Sequence, residues 1–224
     1  MKNTKNLYSN SEILKIKNRK RLTKLERNSF VLTNDLKDIL VGLALGDLSI
    51  RTLPKGKNAY LQFEQGGVHK DYLLHLYDLF KEYCSSGPKI SNRKKDPITN
   101  KIYSRITFFT CCLPCFNLYY DLFYKAGKKI LPPTIDQLLT ARGLAFWAMD
   151  DGSKQGGGFY LNTQSFSKGE NLLLIQILMD KFKLECTLNS TKGKYRIYIK
   201  KQSMNMFKEL VKPYFHESML YKLK

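Results

Sequence analysis

The sequence of 224 residues predicts an α+β fold: two αββαββα halves related by a pseudo-twofold axis, with their strands in antiparallel sheets. Three observations point there. Leu40-Val41-Gly42-Leu43-Ala44-Leu45-Gly46-Asp47 and Leu144-Ala145-Phe146-Trp147-Ala148-Met149-Asp150-Asp151-Gly152 each read as a short apolar helix that ends on an aspartate. Behind each lie alternating apolar and polar segments, punctuated by Gly, Pro and Asn, that read as strands and turns. The order of elements then recurs, and Arg105-Ile106 and Phe116 match Arg196-Ile197 and Phe207 at one constant offset.

Taken in order, residues 1–33 are polar and basic, with Lys15, Lys17, Arg19, Lys20, Arg21, Lys24 and Arg27 against Glu12 and Glu26. A DNA-tracking arm, a targeting presequence and a disordered tail all fit that composition. Residues 34–126 form the first half. Asn34 or Asp35 can cap its first helix, whose apolar stripe is Leu36, Ile39, Leu40 and Leu43. Leu48–Arg51 and Ala59–Glu64 alternate as strands about a Pro54–Asn58 turn, and Tyr72–Tyr83 is an amphipathic helix. Pro88–Ile90 and Tyr103–Phe109 form a second hairpin, and a helix follows from Pro114, a residue tolerated in a first helical turn. Residues 127–139 are the linker, rich in Gly, Lys and Pro.

The second half, 140–224, repeats the pattern. Its helix ends at Asp150-Asp151, and Gly152–Gly158 leads into a strand over Phe159–Gln164. Leu172–Phe182 is helical, Thr187-Leu188 and Tyr195–Ile199 flank the turn Lys192-Gly193-Lys194, and Ser203–Val211 closes the half as a helix. Small residues recur on both aspartate-ended helices: Gly42 and Gly46 on one, Ala141, Ala145 and Ala148 on the other. Small faces let helix backbones approach closely, so this pair is the expected interface between the halves.

Charge narrows the function. There are 38 Lys and Arg against 19 Asp and Glu, a net charge of +19, which favours a polyanionic partner and above all nucleic acid. An anionic membrane surface fits less well, because the basic residues are spread along the chain rather than gathered on one amphipathic helix. No apolar run reaches the roughly 20 residues of a membrane span. The 5 cysteines, an odd number with no secretory signal, fit reduced thiols in an intracellular compartment. Cys112-Leu-Pro-Cys115 lacks the partners of a zinc site and the βαβ setting of a redox motif, so it reads as apolar filling.

If the two helices pack side by side, Asp47 and Asp151 emerge together at the negative ends of both helix dipoles, where carboxylates are unfavourable without a cation. A divalent metal such as Mg²⁺ meets that need and would serve phosphodiester hydrolysis. Arg51, Lys55, Lys57, Arg93, Lys94, Lys95, Lys154, Lys192, Lys194, Lys200 and Lys201 lie on or beside the strands and loops, where a β-ribbon can enter a DNA groove and flanking cations can meet phosphates.

The two helix motifs, with Leu161-Asn162-Thr163-Gln164-Ser165-Phe166 and Met219-Leu220-Tyr221-Lys222-Leu223, resemble the LAGLIDADG homing endonucleases in their monomeric, double-motif, intron-encoded form. The resemblance runs from about Leu36 to Lys222. It implies sheets forming a DNA-binding saddle over a long, asymmetric double-stranded site, a double-strand break with 3′ overhangs, and an organelle address in mitochondrion or chloroplast. It places divalent-metal binding (Mg²⁺ or Mn²⁺) on Asp47 and Asp151, joined by the carbonyls of Gly46 and Asp150. It also implies one basic residue per active site. Lys222 matches one and Lys129 the other, with Lys128 close behind. A polar strand residue that contacts water or metal falls on Glu64 and Asn162, or on Thr163 or Gln164 if the register slips. Motif one departs from the pattern at Asp47-Leu48, where glycine is usual after the aspartate, and motif two at Phe146-Trp147, where a small residue is expected. The family also contains RNA maturases and cleavage-inactive DNA binders, which are the alternative functions.

Overall fold

A computed structural model describes residues 22–224. The most basic part of the expected arm, residues 15–21, lies outside the described residues. The described chain forms two compact units: residues up to Val31 with Ser49–Asn117, and Leu32–Leu48 with Leu118–Lys224.

In the first unit, helix α1 (Lys24–Asn28) is closed by a capping box between Thr23 and Glu26, so this end of the expected arm has defined structure. Strands β1 (Ser49–Thr52), β2 (Ala59–Gly66), β3 (Lys89–Asn92) and β4 (Ser104–Phe109) form one antiparallel sheet in the order β1-β2-β4-β3. The helix expected over Tyr72–Tyr83 is α3 (Lys70–Phe80), followed by a 3₁₀ turn to Tyr83. It covers one face of the sheet with the aromatic core that alternation predicted: Phe63 stacks on Phe108 with ring centroids 4.2 Å apart, and Phe80 lies 5.1 Å from Phe63.

In the second unit, α2 (Asn34–Leu45) lies beside α6 (Ala141–Asp151). Thr33 rather than Asn34 or Asp35 caps α2, its hydroxyl accepting from the Leu36 amide at 3.2 Å, because the helix starts one residue earlier than the Asn34-Asp35 pair suggests. Strands β7 (Gly152–Gln155), β8 (Gly158–Leu161), β9 (Cys186–Thr191) and β10 (Lys194–Ile199) pair in the order β7-β8-β10-β9, the topology of the first sheet repeated. Helix α7 (Lys168–Phe182) starts at a Ser167–Glu170 capping box, and α8 (Met204–Val211) follows β10.

Two expectations need correction. The segment Gly152–Gly158 is itself a strand and a tight turn. Gly156 and Gly157 take φ of 60° and 81°, left-handed values that suit a two-residue hairpin turn. The strand expected over Phe159–Gln164 therefore begins at Gly158 and stops at Leu161. The linker is ordered as well: β5 (Tyr124–Lys125) and β6 (Lys128–Lys129) pair across Ala126-Gly127, and a short helix α5 (Ile135–Leu138) follows α4 (Asn117–Phe123) and this hairpin. In the compact units α2 packs on α6 and joins the second unit. No described helix is long and apolar enough to cross a membrane.

Candidate active site

Helix packing brings the acidic groups together. A Cβ added to Gly42 would lie 2.0 Å from the carbonyl oxygen of Gly143, so the backbones of α2 and α6 touch where neither carries a side chain. Of this glycine pair, sequence reading finds Gly42 but not Gly143, since alanines are the more numerous small residues on α6. One turn further on, a Cβ on Gly46 would meet the Asp150 side chain at 2.7 Å. Both helices thus end at one place. Gly46 caps α2 by donating to the carbonyls of Gly42 and Leu43, and the next amide, that of Asp47, donates to Asp150 Oδ2 at 3.2 Å.

Two lysines close on these ends. Lys129 Nζ donates to the Gly46 carbonyl at 2.6 Å, and Lys222 Nζ to the carbonyls of Met149 and, at 3.4 Å, Asp150. Ammonium groups at helix C-termini satisfy carbonyls that the helix leaves without partners. Lys129 reaches its place from β6, on the hairpin that sequence reading treats as linker. Lys222 sits in a 3₁₀ segment, Glu217–Leu223, anchored by buried Met219 and Leu223. Asn162, one residue past β8, donates to the Asp151 carbonyl from its side chain at 2.7 Å and from its backbone at 3.0 Å. Thr163, the alternative, is instead buried against Asn171.

The electrostatics follow from the crowding. Burial, then the neighbouring charge of Asp47, push the Asp151 carboxyl up to about 7, although Lys129 and Lys222 pull the other way. Burial lowers the pKa of both lysines, opposed by the charges of Asp47, Asp150 and Asp151. Three aspartates, Asp47 exposed and Asp150 and Asp151 partly buried, therefore meet two lysines at the joined helix ends. Among the described residues, no three His, Cys, Asp or Glu side chains form a self-contained metal site.

The structure places the other candidates as follows. Glu64 belongs to the first unit, on β2, where Arg93 at 2.8 Å and Arg105 at 3.2 Å hold its carboxylate. Arg51 on β1, Lys55 and Lys57 in the β1–β2 connection, Lys94 and Lys95 after β3, Lys154 on β7, and Lys192 and Lys194 at the β9–β10 turn are all exposed. Lys200 pairs with Glu185 at 3.3 Å, and the Lys201 stem lies against Gly157. In the sequence, Arg105 and Arg196 serve only as repeat markers. In the structure Arg105 pairs with Glu64, and the Arg196 guanidinium lies over the Tyr160 ring at 4.3 Å. Their alternation with buried Ile106 and Ile197 is the signal that could have found them. Lys24 and Arg27 line a cleft of about 830 Å³ in the first unit together with Lys55 and Lys57.

Known proteins agree with this arrangement. The model of the LAGLIDADG DNA endonuclease family matches residues 37–207. A cytochrome b mRNA maturase of Debaryomyces hansenii is 36% identical over 197 residues, covering 86% of this chain and 74% of its own. A probable intron-encoded endonuclease of Wickerhamomyces canadensis is 35% identical, covering 83% of this chain and 82% of its own. The solved structure of the homing endonuclease I-WcaI bound to its DNA recognition sequence has a TM-score of 0.82 and 33% identity, covering 87% of this chain and 88% of that one. Paired motif helices ending in aspartates, each followed by a four-stranded antiparallel sheet of one topology, and a family match over most of the sequence lead to one conclusion: the chain belongs to the LAGLIDADG DNA endonuclease family.

Proposed function

We propose that the protein is a site-specific homing endonuclease that makes a double-strand break, with 3′ overhangs, in a long, asymmetric double-stranded DNA site by metal-dependent hydrolysis. The observation that carries this is the meeting of Asp47 and Asp151 at the joined ends of α2 and α6, with Lys129 and Lys222 on the adjoining carbonyls. Asp47 and Asp151, with the carbonyls of Gly46 and Asp150, offer an all-oxygen donor set suited to Mg²⁺ or Mn²⁺. The fit is supported by Asp151, whose carboxyl is pushed up to about 7 by burial and by the charge of Asp47, both of which a divalent ion would offset. Bound there, the ion supplies charge that polarises the scissile phosphate and acidifies water.

The chain's own groups do the rest. Lys129 and Lys222 face the charge that develops on the phosphate. Asn162 holds the Asp151 end of α6 in place, and Glu64, paired with Arg93 and Arg105, is the corresponding polar strand residue of the first half. The cations on the strands and turns, from Arg51 to Lys201, neutralise phosphates along the DNA. Residues 34–126 and 140–224 act as the two catalytic repeats, joined by 127–139, with 1–33 as a basic extension. The protein acts as a monomer, in an organelle.

One observation favours a second reading, an RNA maturase: the relative from Debaryomyces hansenii is a cytochrome b mRNA maturase. Incubation with a randomised duplex DNA library and Mg²⁺, followed by sequencing of the ends, tests the choice. One recurrent cut site with 3′ overhangs, lost in EDTA, is the expected outcome. Full cleavage in EDTA removes the metal mechanism, and no cleavage beside intron-specific RNA binding favours the maturase.

A further inference from the structure

We infer that the Asp150 side chain is a positioning residue for Asp47, tying the first motif's aspartate to the second motif's helix. Its Oδ2 accepts the Asp47 amide at 3.2 Å. The backbone around that amide is otherwise committed: Gly46 donates to Gly42 and Leu43, and Leu48 donates to the Leu43 carbonyl at 3.1 Å. The Asp47 amide alone in this turn reaches out of its own segment. It is held by a carboxyl oxygen of the other motif helix.

The two motifs are not equivalent here. Counting back from the aspartates, the position of Asp150 in motif two is Gly46 in motif one. A Cβ at Gly46 would lie 2.7 Å from the Asp150 Cβ and 2.9 Å from Oδ2, so the space a reciprocal carboxylate would need is already taken by Asp150. Asp151 is fixed by a different device, its carbonyl accepting from both nitrogens of Asn162. Loss of the Asp150 carboxylate therefore loosens Asp47 and leaves the Asn162 tie on Asp151 intact.

This rests on the endonuclease reading for its kinetic consequence, but the tie can be tested without it. The readouts are residue-resolved amide hydrogen exchange on the folded protein and, separately, strand-resolved cleavage of an end-labelled duplex with Mg²⁺. In Asp150→Ala the Asp47 amide should exchange at least about tenfold faster, while the Gly46 and Leu48 amides, bonded within α2, serve as unchanged controls. Cleavage of one strand should slow about 10–100-fold, the cost of a misplaced catalytic group, so that a nicked duplex accumulates. Asp150→Asn keeps an acceptor oxygen and should recover most of the amide protection and of the slowed strand's rate. It also keeps the side-chain volume if the alanine variant folds poorly. Equal slowing of both strands, with asparagine no better than alanine, overturns the assignment, because it marks a charge or metal role in place of positioning. Unchanged Asp47 exchange in both variants overturns it too. A wild-type protein that cuts no DNA refutes the endonuclease reading and leaves the exchange result to decide the tie.

Discussion

Gly42→Ala probes the contact that brings the aspartates together. The added methyl would sit 2.0 Å from the Gly143 oxygen, 2.7 Å from its carbonyl carbon and 2.9 Å from its Cα. All three atoms are backbone in the partner helix, so no rotamer change can relieve the clash. The helices must part by more than ~1 Å to reach the C···O spacing of about 3.3 Å found in close backbone contacts. Parting them loosens the α2–α6 contact, in which Gly42 lies against Gly143 and Gly46 against Asp150. Overpacking of this kind costs about 1–3 kcal/mol, with further loss where the neighbouring contacts open. Alanine returns about 1 kcal/mol of helix propensity. The net is a destabilisation of about 1–3 kcal/mol, or about 2–12 °C in Tm for a chain of this size.

Gly169→Ala is the matched control. Gly169 lies in the first turn of α7 with nothing within 4 Å of where its methyl would go, so the same substitution should stabilise by up to about 1 kcal/mol. Thermal and urea unfolding of the two variants beside wild type decide the matter. A Gly42→Ala protein as stable as wild type, or one shifted in the same direction and by the same amount as Gly169→Ala, would refute the packing argument.

Other expectations concern charge. Because the native Asp151 carboxyl is raised from 3.8 to about 7, the folded chain holds a proton there that the unfolded chain has lost, so the metal-free protein should lose stability as pH rises from about 4 to 7. Burial of Lys129 and Lys222 lowers their pKa, so for them the unfolded chain binds more protons and stability recovers as pH climbs from their depressed values toward 10.5. Melting curves in EDTA should show the first slope, Asp151→Asn should flatten it, and a slope unaltered by that change would assign it to another group. Asp47→Asn or Asp151→Asn should leave DNA binding within a few-fold of wild type and abolish double-strand cleavage or reduce it to a nick. A double variant that still makes double-strand breaks would falsify their assignment. Lys129→Met and Lys222→Met should each slow cleavage about 10²-fold, measured in single turnover. DNA affinity should fall about 10³-fold between 50 and 200 mM salt if six or more phosphates are contacted, and salt-insensitive binding counts against the cationic strands as the DNA surface.

Much of the architecture was legible because its signals are local and periodic. Alternation over Ala59–Glu64, Tyr103–Phe109 and Tyr195–Ile199 marks the central strands, and the apolar stripe ending in Asp47 or Asp151 marks the motif helices. What stayed hidden depends on tertiary partners or on elements too short to show a period. The β5–β6 strands have two residues each, so their sequence reads as linker although they carry Lys129 to the Gly46 carbonyl. Gly152–Gln155 has little alternation because its burial comes from its neighbour β8. Gly143 looks like any glycine within a helix until Gly42 is set against it. The arginines on Glu64 come from β3's end and from β4, segments 29 and 41 residues away, a pairing that composition does not reveal.

Helix α2 also bears on how the chain could be divided. It precedes the first sheet in sequence yet packs with the second unit, on α6. A polypeptide of residues 118–224 would therefore leave the Gly143 and Asp150 side of α6 without the helix packed on it, and residues 49–117 alone would lack α2 altogether. A chain cut within residues 127–139 should give complementing fragments, the N-terminal one carrying residues 34–45, the helix that α6 otherwise lacks.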